Sequence, residues 1–287
     1  MDHGVWRRLM AGLRGVPRWS PPRARYSNRD VLAVVLWSAL HDRPLSWGCR
    51  RSSWPMQSWR RRLPDQSTLS RRLRHPRLGD DLRALIARLQ RDMPVSDVLV
   101  VDGKAFALRE HTSDPDATDG WGSGAYSRGY KLHALIDTVH RLLDFELRPM
   151  NEAESTTAKA MVERMHAVGA GTLLGDASYD SNPLHAACAS RGLRLLAPRR
   201  RPDRPLCKNR RHEPGRLAAV VEIESGCPPS VMRERGSVER FFSRLAIATR
   251  LFALPPWARR LHRVTAWVAA KLAINAASIS IKCQLDA

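Results

Sequence analysis

Two short, continuous runs of apolar residues in the middle of the chain, each followed by an aspartate, constrain the fold more than any other feature. The first run, Val98 to Val101, leads into Asp102, and the second, Thr172 to Leu174, is followed by Asp176. Unbroken apolar runs of this length are typical of strands that are covered on both faces of a sheet. We therefore predict a sheet with two buried central strands.

The segments around these runs complete an α/β pattern. Residues 130–137 and 142–148 indicate an antiparallel hairpin, since Leu143, Phe145 and Leu147 alternate with charged residues. The other predicted elements are helices over 156–168 and 185–190, a strand over 193–197, and loops over 111–128 and 198–216. Three antiparallel strands followed by two parallel strands, with helices between them, give an α/β fold with a mixed sheet.

Both ends of the chain are predicted to be helical. Apolar residues recur at helical spacing from Asn28, which is placed to cap a helix, to His41, and again within 238–245 and 264–272. Further short helices are expected over 43–49 and 81–91.

The segment from Leu63 to Arg74 has the pattern of a helix that reads DNA. Pro64 with Asp65 or Ser67 supplies a start signal, and Leu69 and Leu73 form a narrow apolar stripe. The basic residues of the segment would then lie on other faces, where they can meet phosphates or base edges; they are Arg71, Arg72 and Arg74. The alternative is a basic helix that is merely solvated.

The charge distribution points to a polyanionic partner. Lys and Arg number 48 against 28 Asp and Glu, which leaves a net charge of +20. Residues 1–95 carry 20 basic and 7 acidic groups, residues 96–197 carry 10 and 14, and residues 198–287 carry 18 and 7. Two basic flanks around a mildly acidic centre favour polyanion binding over a simple solvated surface.

No segment of the sequence predicts export or a membrane span. The most apolar late segment, 264–281, contains Lys271 and Asn275, and no stretch has the pattern of a signal peptide. The five cysteines are scattered and form no Cys-x-x-Cys pair. A reducing cytoplasm is therefore the expected compartment.

Asp102 and Asp176 become a candidate metal site if their strands are neighbours. Ligands bind at the carboxyl ends of strands in open α/β sheets, and two carboxylates held close together repel each other unless a divalent cation lies between them. Either aspartate alone is more often a turn or cap residue. Asp180 is the rival for the second position, although it lies beyond the apolar run.

Glu239 is the third candidate carboxylate. In a helix, Arg235, Glu239 and Ser243 would share a stripe apart from the apolar face. Arg235 before Glu239 is the less favourable order for an ion pair that stabilises a helix, so a purely structural role is the weaker reading. Two aspartates and one glutamate around two cations about 4 Å apart form a site for phosphoryl transfer.

Four motifs in this order resemble bacterial insertion-sequence transposases of the DDE type, close to insertion-sequence families four and five. They are Val101-Asp102-Gly103-Lys104, Arg128 to His133, Leu174 to Ser181, and Arg235 to Leu245. The resemblance implies an RNase H-like catalytic domain over 96–287 that ends in helices, preceded by a helical DNA-binding region over 1–95. It also implies cleavage at terminal inverted repeats and joining of the 3′-OH ends to target DNA.

The resemblance further implies the cofactors, partners and residues of the site. Asp102, Asp176 and Glu239 would be the catalytic, metal-binding triad, with two Mg²⁺ ions that Mn²⁺ can replace. The partners would be double-stranded DNA and, on the DNA ends, a second copy of the chain, in the bacterial cytoplasm close to the nucleoid. The motifs also supply candidate DNA-binding residues, namely Lys104, Lys131, Arg235, Arg240 and Arg244.

Two positions depart from the family pattern around the glutamate. Arg235 matches, but Met232 stands where the family has Tyr and Ala246 where it has Lys. These departures leave open a DNA-binding protein that derives from a transposase and has lost the chemistry. A metal-dependent nuclease without strand transfer is a third reading, against which the helical N-terminal region and the basic flanks argue.

Overall fold

The computed structural model describes residues 3–56, 63–108, 112–122, 124–165, 171–206, 211–227 and 229–285. The chain divides into two compact units. The helical unit comprises residues 1–93, 111–117 and 244–287, and the sheet unit comprises residues 94–110 and 118–243. Residues 244–287 belong to the helical unit, because the final helix packs on the N-terminal helices. The sequence-based domain boundaries place these residues in the catalytic domain.

The helical unit is built from both ends of the chain. Its helices are α1 (His3–Gly15), α2 (Asn28–Leu40), α3 (Leu45–Gly48), α4 (Gln66–Arg72), α5 (Arg77–Leu89) and α11 (Leu261–Leu285), with a 3₁₀ turn at Arg51–Ser53. Helix α11 packs against α1, α2 and α5. The sequence analysis predicts α2 well but places no helix before residue 28, where α1 lies.

Helix α11 is the core helix of this unit. Within the described part of the chain, its segment Leu261–Ile281 has a mean hydropathy of 1.4, so length and composition alone would allow it to span a membrane. However, 78% of the most apolar 18-residue window in this segment is buried inside the protein. Lys271 is 2% exposed and donates hydrogen bonds to Asp42 and, over 2.7 Å, to the carbonyl oxygen of Thr249. A buried charge held in this way is consistent with a core position.

Polar groups at the start of α2 join three segments of the helical unit. Ser27, rather than Asn28, caps the helix, and it forms a capping box with Asp30. Asn28 is fully buried, and its amide donates to Asp81 Oδ2 over 2.9 Å. The indole nitrogen of Trp19 donates to the same oxygen over 2.7 Å. Asp81 therefore connects α5 with the segment that leads into α2.

The sheet unit has an RNase H-like arrangement of strands. The strands are β1 (Val98–Ala107), β2 (Thr118–Gly122), β3 (Ala125–Asp137), β4 (Leu142–Pro149), β5 (Gly171–Leu174) and β6 (Leu193–Leu196). They follow the order β2-β3-β1-β5-β6, and β4 also pairs with β3. The pairs of β3 with β1, β2 and β4 are antiparallel, while β5 is parallel to β1 and β6 is parallel to β5. The predicted mixed sheet is confirmed.

Two helices lie between strands of this sheet along the chain, and three follow its last strand. They are α6 (Glu154–Arg164), α7 (Asn182–Ala189), α8 (Pro214–Glu224), α9 (Pro229–Arg233) and α10 (Gly236–Thr249), the last of which continues into the helical unit. Leu99 and Val101 of β1 and Leu173 of β5 pack with Met161 of α6 and Leu184 of α7 in one apolar core. This core fixes one face of the strands that carry the two aspartates.

Three boundaries differ from the sequence-based expectations. β1 extends to Ala107 because β3 supplies an antiparallel partner that far, with Ala107 opposite Gly129. The predicted loop over 111–128 contains β2, and the predicted loop over 198–216 ends in the first turn of α8. Residues 166–168 of the predicted helix over 156–168 lie outside the described residues.

Asp81→Ala is expected to lower the free energy of unfolding by about 3 kcal/mol, because the indole of Trp19 and the amide of Asn28 both lose a buried acceptor. Urea unfolding of the full chain measures the change. Asp80→Ala is the matched control, since the side chain of Asp80 is 73% exposed and its ion pair with Arg83 spans 3.5 Å; we expect a change within about 0.5 kcal/mol. Equal losses in the two variants would contradict the buried role of Asp81.

Candidate active site

Asp102 lies within β1 rather than at its end. The sequence analysis places it at the carboxyl end of a short strand, but the strand continues, and Asp102 is paired with Ala134 of β3. On the other side of β1, the parallel ladder with β5 stops earlier, at Val100 opposite Leu174. Asp102 is therefore two residues beyond the last paired residue of β1 on this side, where its side chain is not covered by a neighbouring strand.

Asp176 occupies the equivalent place on β5. It too is two residues beyond the paired Leu174, and it caps the 3₁₀ turn Ala177–Tyr179 by accepting a hydrogen bond of 2.7 Å from the Ser178 amide. Tyr179 is fully buried and anchors this turn in the core, and Gly175 leaves room for its ring, because a Cβ there would lie 2.9 Å from Tyr179 Cβ. Both aspartates therefore lie two residues beyond the end of the same parallel ladder, as expected of neighbouring strands.

The two aspartates interact electrostatically. Burial raises the pKa of Asp102, a hydrogen bond from the Gly103 amide opposes the rise, and the charges of Asp176 and Glu154 add to it, so that the pKa is about 6. Arg235 acts in the lowering direction. Burial is thus the largest cause of the raised pKa of Asp102, and the charges of two carboxylates, opposed by the charge of Arg235, add to it.

Glu154 is a component of this site that the sequence analysis does not predict. It is the first residue of α6, and its carboxylate accepts a hydrogen bond of 2.5 Å from Lys131 Nζ on Oε1 and one from Ser178 Oγ on Oε2. The hydroxyl of Ser178 also lies 2.5 Å from Asp176 Oδ1. The only available signal in the sequence is a carboxylate at a helix start between two site strands, which is common at helix N-termini in general.

Lys131 lies beneath the site rather than on the surface. It is 7% exposed, and it crosses Gly103 of the neighbouring strand, where a Cβ would lie 2.9 Å from Lys131 Cδ. The small residue in Asp102-Gly103-Lys104 therefore makes room for Lys131 to reach Glu154. Its burial and its bond to Glu154 make Lys131 a less accessible phosphate contact than the other predicted cations.

Glu239 lies in the first turn of α10 and is exposed. The start of this helix is close to the sheet, since Arg235 acts on Asp102 and Lys104 Nζ lies 6.0 Å from the centre of the Phe242 ring. In the described part of the chain, no hydrogen bond or ion pair joins Glu239 to either aspartate, and no three His, Cys, Asp or Glu residues lie close enough together to hold a metal ion.

The donor set of the two aspartates fits a hard divalent cation. Asp102 and Asp176 each use Oδ1 to accept a backbone amide, and no described residue donates a hydrogen bond to either Oδ2. Carboxylate oxygens are the ligands that Mg²⁺ prefers, and Mg²⁺ is commonly held by one or two carboxylates together with water and substrate phosphates. A pair of aspartates with mutual repulsion is therefore a suitable seat for such an ion.

Comparison with known proteins identifies the family. The family model described as "Transposase DDE domain" matches residues 94–276, which is more than half of the chain. The chain belongs to the transposase DDE domain family. No curated protein matches the chain.

One solved structure with similarity to this chain is a cryo-EM structure of the piggyBac transposase synaptic complex with hairpin DNA. The sequence identity is 14% and the TM-score is 0.48, and the match covers 98% of this chain and 73% of that chain.

Within this transposase domain, Asp180 has a structural role. Its carboxylate accepts two hydrogen bonds of 2.6 Å from Arg216, and His185 Nε2 lies 3.6 Å from Oδ1. Burial acts to raise the pKa of Asp180, but the hydrogen bonds and charge of Arg216 outweigh it and lower the pKa to about 2. These contacts favour Asp176 over Asp180 as the second carboxylate of the transposase site.

The predicted DNA-reading helix of the transposase corresponds to α4, which Asp65 caps through the Thr68 amide. Leu69 and Leu73 are buried as predicted, but Arg72 is buried as well. Arg72 Nη1 donates to the Tyr26 carbonyl over 2.7 Å, and the guanidinium lies 5.3 Å from the Trp19 ring centre. Arg72 therefore packs inside the helical unit and is less accessible to DNA than Arg71 and Arg74.

Arg71 and Arg74 remain exposed. They line a groove of about 650 Å³ in the helical unit, which also contains Arg263 of α11. Arg263 Nε donates to Ser70 Oγ over 3.0 Å, which fixes its guanidinium beside α4. The groove thus combines three guanidinium groups from two parts of the chain.

The remaining predicted cations lie at or near α10. Lys104 is half-buried, while Arg235, Arg240 and Arg244 are exposed. Arg240 is 4.0 Å from Glu234, a long contact between two exposed side chains. These positions leave Arg235, Arg240 and Arg244 accessible to a polyanion.

One departure from the family pattern has a structural explanation. Ala246 is 5% exposed and lies on the apolar face of α10 with Phe242 and Leu245. A lysine at this position would bury an ammonium group, which is unfavourable without a partner. Nothing in the structure explains Met232.

Asp180→Asn is expected to lower the free energy of unfolding at pH 7 by about 3 kcal/mol, because it leaves the Arg216 guanidinium without its carboxylate. The folded pKa lies below the unfolded value of about 4, so the stabilisation is present above pH 4 and is lost as pH falls toward 2. Urea unfolding at pH 7, 5, 4 and 3 should show the gap to wild type shrinking below pH 4.

Asp119→Asn is the control for this measurement, since its ion pair with Arg128 is 3.2 Å long and half-exposed. We expect a loss below about 1 kcal/mol. A gap for Asp180→Asn that stayed constant from pH 7 to pH 3 would show that its charge is not the source of the stabilisation.

Proposed function

We propose that this transposase domain protein cuts DNA at the terminal inverted repeats of an insertion sequence and joins the 3′-OH ends to target DNA. The observation that carries the proposal is the parallel pairing of β1 with β5, whose ladder ends at Val100 and Leu174, two residues before Asp102 and Asp176. The negative charge of these two carboxylates supports a divalent-cation site. Membership of the transposase DDE domain family supports DNA cutting and transfer as the class of reaction.

In this proposal, Asp102, Asp176 and Glu239 hold two divalent cations, Mg²⁺ or Mn²⁺. When bound, such ions activate the attacking oxygen and stabilise the leaving oxygen. Asp102 and Asp176 would contribute the carboxylate oxygens to which no described residue donates, and Glu239 would contribute its exposed carboxylate from the first turn of α10. Arg235 balances part of the charge near Asp102 and meets a phosphate of the DNA.

In this proposal, DNA phosphates bind in the basic groove of Arg71, Arg74 and Arg263 in the helical unit, and the exposed arginines of α10 are further phosphate contacts. Arg71 and Arg74 supply positive charge from α4, and Arg263 supplies it from α11, where Ser70 orients its guanidinium. Phosphate contacts of this kind position a duplex without reading its sequence. A second copy of the chain on the paired DNA ends, and a location in the bacterial cytoplasm near the nucleoid, complete the proposal.

A second candidate function is DNA binding by a transposase-derived protein without catalysis. Met232 and Ala246 favour it, because both replace residues of the family pattern around Glu239. The exposed position of Glu239, with no bond to the aspartates, points the same way. This candidate retains DNA binding and produces neither nicks nor joined products in Mg²⁺ or Mn²⁺.

Asp102→Asn, Asp176→Asn and Glu239→Gln are each expected to reduce cleavage by about 10³-fold or more, since each removes a ligand of ions that contribute several kcal/mol. The assay uses DNA with the inverted repeats that flank the reading frame, in Mg²⁺ and in Mn²⁺, and scores nicks and joined products separately. Binding in EDTA should stay within about twofold of wild type.

Glu234→Gln is the control for Glu239→Gln, because Glu234 is a half-exposed glutamate five residues away. It should leave cleavage unchanged. Any triad variant that retains full cleavage loses its place in the triad, and a wild-type chain that binds but never cuts supports the second candidate.

Arg263→Gln and Arg74→Gln should weaken DNA binding and make it less dependent on salt. Each removes one phosphate contact, so the slope of log K against log salt should fall by about 0.9 per substitution. Fluorescence anisotropy of a mixed-sequence duplex in EDTA, over a series of salt concentrations, gives this slope. Arg91→Gln is the control, since Arg91 is exposed on the same unit but lies outside the groove. Unchanged slopes for both groove variants would remove the groove from the DNA surface.

A further inference from the structure

A chain of close polar contacts leads from the buried Lys131 to the candidate metal ligand Asp176. Lys131 Nζ donates to Glu154 Oε1 over 2.5 Å, Ser178 Oγ is bonded to Glu154 Oε2, and the same hydroxyl lies 2.5 Å from Asp176 Oδ1. The four residues come from β3, from the start of α6 and from the 3₁₀ turn after β5. They are partly or fully buried.

Glu154 itself is poorly placed to be a metal ligand. Both of its carboxylate oxygens already accept hydrogen bonds, one from an ammonium group and one from a hydroxyl. These bonds and the charge of Lys131 outweigh the effect of burial and lower the pKa of Glu154. A carboxylate whose two oxygens are both hydrogen-bonded can still influence a neighbouring metal ligand, by fixing the position of the residue to which it is bonded.

What Glu154 holds is the hydroxyl of Ser178. A serine hydroxyl has a single proton, and the Ser178 hydroxyl is within bonding distance of both Glu154 and Asp176. The Ser178 amide bonds the same oxygen of Asp176 over 2.7 Å. Because this one proton cannot be donated to both carboxylates at once, the Ser178 amide is the constant donor to Asp176 Oδ1, while the hydroxyl, held by Glu154, lies against the same oxygen. Oδ2 of Asp176 accepts no hydrogen bond from the described residues.

The charges of this group lead to the same conclusion. The charges of Asp176 and Glu154 both raise the pKa of Asp102, so the three carboxylates lie close enough to repel one another. Lys131 neutralises Glu154 by direct contact. Arg235 balances part of the charge near Asp102, and the remaining charge lies on Asp102 and Asp176, where a cation would bind.

We propose that Glu154 is a positioning residue of the metal site, which holds Ser178 and through it fixes the Asp176 carboxylate with one oxygen available to a cation. The proposal rests on the proposed function, because it assumes that Asp176 is a metal ligand. Second-sphere partners that orient a ligand commonly change metal affinity by about 10- to 100-fold when they are removed.

Manganese binding to the full-length chain without DNA tests this role, with free Mn²⁺ measured by electron paramagnetic resonance. Ser178→Ala and Glu154→Ala should each raise the Kd for Mn²⁺ by about 10- to 100-fold. The double variant should be no weaker than the weaker single variant, since both break the same chain of bonds. Ser178→Thr, which keeps the hydroxyl, should restore the affinity to within about threefold.

Glu163→Gln is the matched control on the same helix, because Glu163 is a half-exposed carboxylate whose ammonium partner, Lys159, is 2.6 Å away. It should leave the Kd unchanged. Glu154→Ala also leaves Lys131 buried without its partner and can unfold the chain, but Ser178→Ala removes no charge and keeps the test valid. Urea unfolding of each variant confirms that a folded protein is being compared.

The outcomes distinguish failure of the positioning role of Glu154 and Ser178 from failure of the proposed function. If Asp176→Asn weakens Mn²⁺ binding while Ser178→Ala and Glu154→Ala bind as wild type does, the positioning role is overturned and the metal site stands. If the Asp102→Asn and Asp176→Asn variants bind Mn²⁺ as tightly as wild type, the proposed metal site is overturned, and the positioning role of Glu154 is overturned with it.

Discussion

The parallel ladder between β1 and β5 is short, and the arrangement of the candidate site depends on where it stops. The ladder ends at Val100 and Leu174, while β3 continues to pair with β1 as far as Ala107. Asp102 is thus held rigidly by one neighbour and left open on the side of the other. Because Asp176 is equally far beyond the end of β5, the carboxylates of Asp102 and Asp176 are both partly desolvated. Lys131 and Arg235 balance part of the negative charge in this region.

Much of the sheet could be predicted from the sequence because its buried strands are local and unambiguous. Continuous apolar runs identify β1 and β5, and alternation identifies β4. Other features depend on pairing between distant residues. The extension of β1 past Asp102 exists only because β3 lies beside it, and β2 lies in a Gly-rich, polar segment whose strand conformation comes from pairing with β3.

The candidate site was predictable to a similar degree. Its two aspartates follow recognisable strands, whereas Glu154 depends on Lys131 and Ser178, which lie 23 and 24 residues away in the chain. For Arg72, the sequence pattern indicates an exposed position that the structure does not have. Its place in a basic, amphipathic segment indicates an outer face, but the carbonyl of Tyr26 and the ring of Trp19 draw it inward. Helical periodicity alone contains no information about such partners.

The helical unit also has a consequence for how the protein is made. Arg8 Nη2 is 2.7 Å from Ser280 Oγ, so residues 272 positions apart meet in one small core. Helices α1, α2 and α5 emerge from the ribosome long before α11 and lack its apolar surface until that helix has been synthesised. Contacts of such high sequence separation form slowly, and exposed apolar faces in partly made chains favour aggregation. The sheet unit, whose residues are all synthesised before α11, can fold while the N-terminal helices still wait for their last partner.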